Sequence, residues 1–181
     1  LLGTHAQRDE VPRLNWFPNS REEVPMLGRI KAIQDARAAG QVHSLPDVLS
    51  FAPADYLQNS PYAWSWAAAV LLDHHPRYRQ TFRGLAAQIR GSELDVSLPE
   101  AFATQWPQVV EDWQLFVANL EHGYDFERMT VDYTPAAEEW TGPKELTIAA
   151  DRGWQSTGVR LRSGQRYEIS AGGRYTIVGQ P

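Results

Sequence analysis

The stretch Tyr62-Ala-Trp-Ser-Trp-Ala-Ala-Ala-Val-Leu-Leu72 is apolar on every side except at Ser65, the pattern of a helix lying inside a domain rather than on it. It predicts a central core helix and, around it, a mainly helical domain. Pro76 interrupts the run. Tyr78, Phe82, Leu85 and Ile89 then recur at steps of four, three and four, with Arg77, Arg79, Gln80 and Arg83 outside the stripe. That one-sided stripe predicts a surface helix packed back on the first.

Local punctuation agrees with this reading on both sides. Asn59-Ser60-Pro61 is an N-cap followed by Pro in the first helical position, and Ser44-Leu-Pro-Asp47 is a capping pattern opening a short helix. Ser20-Arg-Glu-Glu23 is another. It predicts a helix from about 22 to 39, with Met26, Ile30, Ile33 and Arg37 along one side and Gly40 as its stop. Residues 1–19, with Gly3, Pro12, Pro18 and the pair Trp16-Phe17, read as an extended segment laid on the core. Downstream, Ser97-Leu-Pro-Glu100 caps a helix whose stripe is Phe102, Trp106, Val109, Trp113, Phe116 and Leu120, and which Pro107 kinks or divides.

The period changes after Tyr124. Residues 124–143 read as a linker touching the core through Tyr133 or Trp140. Beyond it, Leu146 and Ile148, Val159 and Leu161, Tyr167, Ile169 and Ala171, and Tyr175 and Ile177 alternate with polar residues as four short strands. Ser163-Gly164 and Gly172-Gly173 sit where hairpin turns would join them. The expected fold class is α+β: a helical subdomain over 1–123, a linker over 124–143, and a partial antiparallel β module over 144–181.

With 181 residues, 43% hydrophobic and 22% charged, and a formal net charge of -5, the chain has the composition of an ordinary globular protein. A nucleic-acid binder needs a concentrated excess of Lys and Arg, which is missing. The one basic cluster, Arg77, Arg79, Arg83 and Arg90, reads first as a solvated helix face and second as an anion or membrane-surface site. No apolar run reaches the roughly 18 residues of a membrane span. Leu1-Leu2-Gly3 opens the chain without Met and suggests an excerpt whose targeting segment is not included. The absence of Cys excludes disulfides, thiolate zinc sites and Cys nucleophiles. The compartment stays open, with the extracytoplasmic side preferred.

No complete catalytic signature occurs. His74-His75 invites a metal, but successive helical residues point about 100° apart, so polar residues at a helix end are the first reading. Asp73 and His74 with Ser65, Ser50 or Ser60 make a triad on paper, without a G-x-S-x-G elbow. Glu138-Glu139-Trp140 places two carboxylates beside a sugar-stacking ring, yet adjacent Glu residues read more simply as a solvated pair. Gly172-Gly173 lacks the helix and Lys of a phosphate loop. Trp64, Trp66, Trp106 and Trp113 fall on buried stripes. Trp154, in a polar turn, is the candidate ligand-binding residue, either stacking on a sugar or packing on the helical domain.

Two pieces resemble known families. Val24-Pro-Met-Leu-Gly-Arg-Ile30, Leu45-Pro-Asp-Val48, Tyr62-Ala-Trp-Ser-Trp66 and His75-Pro-Arg-Tyr-Arg79 leading to Phe82-Arg83 resemble, in order, the region after the active site in bacterial proteins of unknown function among the peptidase-MA-like, or gluzincin, zinc metallopeptidases. The resemblance covers residues 1 to about 122. It implies an H-E-x-x-H helix and a third ligand upstream of this chain, with Leu1-Leu-Gly-Thr-His5 corresponding to the residues just after that ligand. No metal ligand is therefore carried over, and zinc is expected in the full-length protein only. His5, Tyr62 and Trp66 become the candidates for a transition-state-stabilising contribution. The second piece, Gly153 to Val159 with Ser163 to Tyr175, is similar to the first strands of galactose-binding bacterial lectin jelly rolls, whose calcium- and sugar-binding loops would come later.

The expectation is thus the non-catalytic C-terminal portion of a zinc metallopeptidase, partnered by a catalytic half outside this chain and acting on peptide, with a β module for recognition. The alternative is a self-sufficient binding module for carbohydrate or protein, which would leave no uncovered apolar face around residues 1–19. A hydrolase using carboxylates of this chain alone comes third.

Overall fold

The computed structural model describes residues 6–8, 11–13, 16–23, 28–52, 54–55, 59–85, 89–90, 93–94, 96–136 and 138–174. The chain is α+β and mainly helical, and it divides into two compact units, Leu1–Glu127 and Arg128–Pro181.

In the first unit, short β1 (Ala6–Arg8) and β2 (Val11–Arg13) pair antiparallel. The helices are α1 (Arg29–Ala38), α2 (Leu45–Leu49), α3 (Asn59–His74), α4 (Arg79–Gly84), α5 (Leu98–Phe102) and α6 (Trp106–Asn119). The apolar stretch from Tyr62 to Leu72 is the centre: α3 packs against α1, α2, α4 and α6. Trp64, Ala67, Leu71 and Leu72 are fully buried on it. Trp64 meets the Trp113 ring of α6 at 6.0 Å, and the Trp113 indole N–H donates to the His43 carbonyl at 3.0 Å, so a buried polar edge is satisfied.

Capping works as local chemistry dictates at two places. Ser44 with Asp47 and Ser97 with Glu100 form capping boxes at the starts of α2 and α5. At the third, Ser20–Glu23, the outcome differs. Glu23 accepts from the Asn19 N–H at 2.8 Å, and Arg21–Glu23 is a single 3-10 turn. The helix begins at Arg29 rather than 22, and Met26 lies outside the described residues. Arg37, out of place on an apolar stripe, donates to the Val117 carbonyl at 3.0 Å and also to that of Ala118, while Gln34 donates to the Leu120 carbonyl at 3.0 Å. α1 thereby covers the open C-terminal carbonyls of α6.

The expected surface helix through Ile89 is shorter. It ends at Gly84, a residue that costs a helix about 1 kcal/mol relative to Ala, and Ile89–Arg90 instead form β3, antiparallel to β4 (Glu93–Leu94). The downstream helix is divided as expected. The break falls at Ala103, φ 42°, between α5 and a 3-10 turn, and Pro107 sits in the first turn of α6. Tyr124 and Phe126 carry the chain past α6 into the core, where both pack on Phe116. Gly123, at φ +75° with Asn19 O 3.2 Å from where a Cβ would stand, lets the 16–19 segment approach. Phe17 of that segment stacks on Trp66 and meets Phe126 edge-on.

The second unit departs most from its sequence pattern. β5 (Glu138–Glu139) and β6 (Val159–Arg160) pair parallel, not antiparallel, with Glu138 opposite Val159. Leu146, Ile148, Leu161 and Ile169 lie outside strands and face solvent, Ile169 at 88% exposure. Ser163-Gly164 is a turn without flanking strands, and Tyr175 and Ile177 are outside the described residues. Alternation specifies a strand only where a neighbouring strand completes the ladder and a layer covers the apolar face. Here side chains do much of the ordering. Gln155 pairs both backbone groups of Ala149, at 3.0 and 2.9 Å, and the Gly153 and Asp132 N–H groups donate to Arg128 and Trp154 carbonyls.

Candidate functional site

Tyr62 stands in the first turn of α3, and one turn on the helix carries Trp66, so both rings lie on one face. α1 brings Arg29 to that face. Its guanidinium stands 4.6 Å from the Tyr62 ring centroid and 5.7 Å from that of Trp66, and it donates to the Tyr62 hydroxyl at 3.2 Å. Trp66 is buried, braced by Phe17, whereas Tyr62 is 38% exposed. A phenol that accepts from a cation still has its own O–H to donate. The group is therefore suited to meet an oxygen that gains negative charge. His5, the third candidate alongside these two, lies outside the described residues.

His74 and His75 end α3, as their sequence position predicts, and then diverge. His74 directs Nδ1 to the Val70 carbonyl at 3.1 Å and stacks on Phe126. His75, 4% exposed, stacks on Tyr78 with centroids 4.3 Å apart. Its Nδ1 accepts the Arg77 backbone N–H at 3.3 Å, which leaves Nε2–H to face Asp112 at 3.4 Å. Burial, aided by the nearby Arg77 charge, lowers the His75 pKa to about 4. The ring is neutral at pH 7, and its contact with Asp112 is polar rather than an ion pair.

Asp112, buried in α6, is the hub that periodicity does not reveal. It also accepts from the Tyr78 hydroxyl at 2.5 Å and from the Arg77 guanidinium at 3.4 Å. Burial and Asp112 hold the Tyr78 phenol protonated far above its ordinary range. The one sequence signal is an acidic residue beside Trp113 on a helix otherwise apolar on that side. Asp73, equally buried, accepts Arg83 Nε at 2.7 Å and NH2 at 3.3 Å. With Arg79 near Glu127 at 3.5 Å, three of the four arginines of the basic cluster have acidic partners, and the Arg90 side chain is not described.

The paper triad does not assemble on α3. Ser65 and Asp73 are eight residues apart on one helix, about 12 Å of rise, and Asp73 is engaged by Arg83. Glu138 and Glu139 each have a cation, Lys144 at 3.2 Å and Arg162 at 2.5 Å. Trp154 is 58% exposed. Among the described residues no group of three or more His, Asp or Glu side chains is placed to hold a metal ion. No helix among the described residues is long and apolar enough to cross a membrane. No protein-family model, curated protein or solved structure matches this chain.

Proposed function

We propose that the helical unit is the C-terminal part of a gluzincin-type zinc metallopeptidase that completes the cleft and scaffold, the metal and its general base being held by a half outside this chain. The observation that carries this reading is the Arg29–Tyr62 pair. It is a half-exposed phenol with a cation against it on the rigid face of the central helix. Such a pair donates a hydrogen bond to an oxygen developing negative charge at an adjoining catalytic half, and the guanidinium stabilises that charge from behind. The two buried carboxylates support a scaffold role: Asp73 and Asp112 are occupied by internal partners, which ties α3 to α4 and to α6.

The test is to extend the chain upstream along its own reading frame through an H-E-x-x-H segment and measure metal content and peptidase activity. One zinc per molecule is expected. Tyr62→Phe should then lower kcat about 100- to 1000-fold with KM and zinc content little changed, the pattern of a contact made in the transition state. An extended protein without stoichiometric zinc would falsify the peptidase reading; unchanged kcat in Tyr62→Phe would remove Tyr62 from it.

A further inference from the structure

The Phe17 ring is buried among three others. It stacks on Trp66 with planes 10° apart and centroids at 6.3 Å, and it meets His74 and Phe126 edge-on at 6.3 and 5.4 Å. Trp66 in turn borders the Arg29 guanidinium, which donates to the Tyr62 hydroxyl. We infer that Phe17 is a positioning residue: through the Trp66 indole it sets the Arg29 guanidinium against Tyr62. The inference rests on the reading of that pair as the group that meets a developing oxyanion.

An arginine side chain has about 2 kcal/mol of rotamer entropy to lose. The 3.2 Å bond to a half-exposed phenol contributes about 1 kcal/mol net and does not by itself select one arrangement. Two ring faces add to it. The guanidinium lies 4.6 Å from the Tyr62 centroid and 5.7 Å from that of Trp66, both inside the roughly 6 Å range of cation–π attraction. Tyr62 is exposed and can turn. Trp66 is buried and cannot turn without displacing its neighbours, so it is the fixed reference. Phe17, stacked on the indole plane, sets its tilt.

The 16–19 segment is itself secured through the backbone. The Gly123 N–H donates to the Pro18 carbonyl at 2.9 Å and the Asn19 N–H to Glu23 at 2.8 Å. At Gly123, φ +75°, a Cβ would stand 3.2 Å from Asn19 O. Removing the Phe17 ring and adding a Cβ at Gly123 therefore disturb the same support by two separate routes.

The first arm of the test uses this chain, isotope-labelled, with the Arg29 Nε–H and Tyr62 ring signals followed by NMR. Phe17→Leu and Gly123→Ala should each move both signals and speed exchange of the Arg29 Nε–H with water about tenfold or more. Phe17→Tyr keeps the ring and should keep both signals. Phe102→Leu removes a ring that packs on Tyr78 instead and should leave both in place, which separates positioning from a general loosening of the core. The second arm uses the zinc-bearing protein extended upstream. There Phe17→Leu should lower kcat about tenfold or more, a 1 Å misplacement costing roughly 100-fold, with KM little changed and no further loss when Tyr62 is already Phe. Unmoved signals in Phe17→Leu overturn the inference. So do equal shifts in Phe102→Leu, or a loss in kcat that persists in full on the Tyr62→Phe background. An extended protein that binds no zinc removes the peptidase reading alone, since the first arm needs no metal and still decides whether Phe17 positions the pair.

Discussion

Between residues 16 and 127 large side chains face one another: Trp64 against Trp113, Phe17 against Trp66, and Phe116 against Tyr124 and Phe126. Between 128 and 174 the apolar side chains of Leu146, Ile148, Leu161 and Ile169 face water, and backbone groups are held by Gln155, Ser156 and Arg160 side chains. The first arrangement derives its order from buried area and close packing. The second derives it from hydrogen bonds, each contributing only about 1 kcal/mol net. The difference teaches that one chain can contain both a rigid support and a surface ordered point by point, and that substitutions should act differently in each.

The largest effect should come from the packed side. Trp113→Ala removes the ring that faces Trp64 and leaves the His43 carbonyl without its donor, at a cost of about 3–5 kcal/mol. Denaturant unfolding should show a lower midpoint for the helical unit; an unchanged midpoint would break the contrast.

Next is acid. His75 is neutral in the fold with its pKa lowered to about 4, against an ordinary value near 6.5. The unfolded chain therefore binds the extra proton first. The stabilising contribution is complete above about pH 6.5 and declines as pH falls towards 4, on the order of 3 kcal/mol in all. His75→Gln should flatten that part of the stability-against-pH curve, and a curve unaltered by the substitution would contradict the assignment.

The smallest effect sharpens the other side. A Cβ at Gly153 would stand 3.1 Å from Arg128 O and 3.2 Å from Met129 Cα, both backbone atoms that yield little. Gly153→Ala should cost about 1–2 kcal/mol, seen as faster amide exchange around 128–134 and 149–158 with exchange in α3 and α6 unaltered. Faster exchange in α3 would show that the two kinds of order are not separate.

Much of the helical unit is legible in the sequence. The period of α6, the capping boxes at Ser44 and Ser97, and the end of α3 at His74 are decided by residues a few positions apart. Tyr62 and Trp66 are legible as candidates only through a family resemblance, and nothing local points to Arg29, which joins them from 33 residues away. In the second unit, Tyr167 meets the Trp140 ring and Arg162 donates to Glu139, approaches that no spacing in the chain predicts.

The amino-acid sequence by itself determined that an apolar helix at 62–72 would lie at the centre of a mainly helical domain, because hydrophobic period and end-capping operate within one or two turns. Only the tertiary structure decided that Arg37 covers the end of α6, that Asp112 gathers His75, Arg77 and Tyr78, and that β5 meets β6 in parallel. Those outcomes depend on which donors and acceptors come within about 3 Å of each other, and that is settled by packing between segments far apart in the chain.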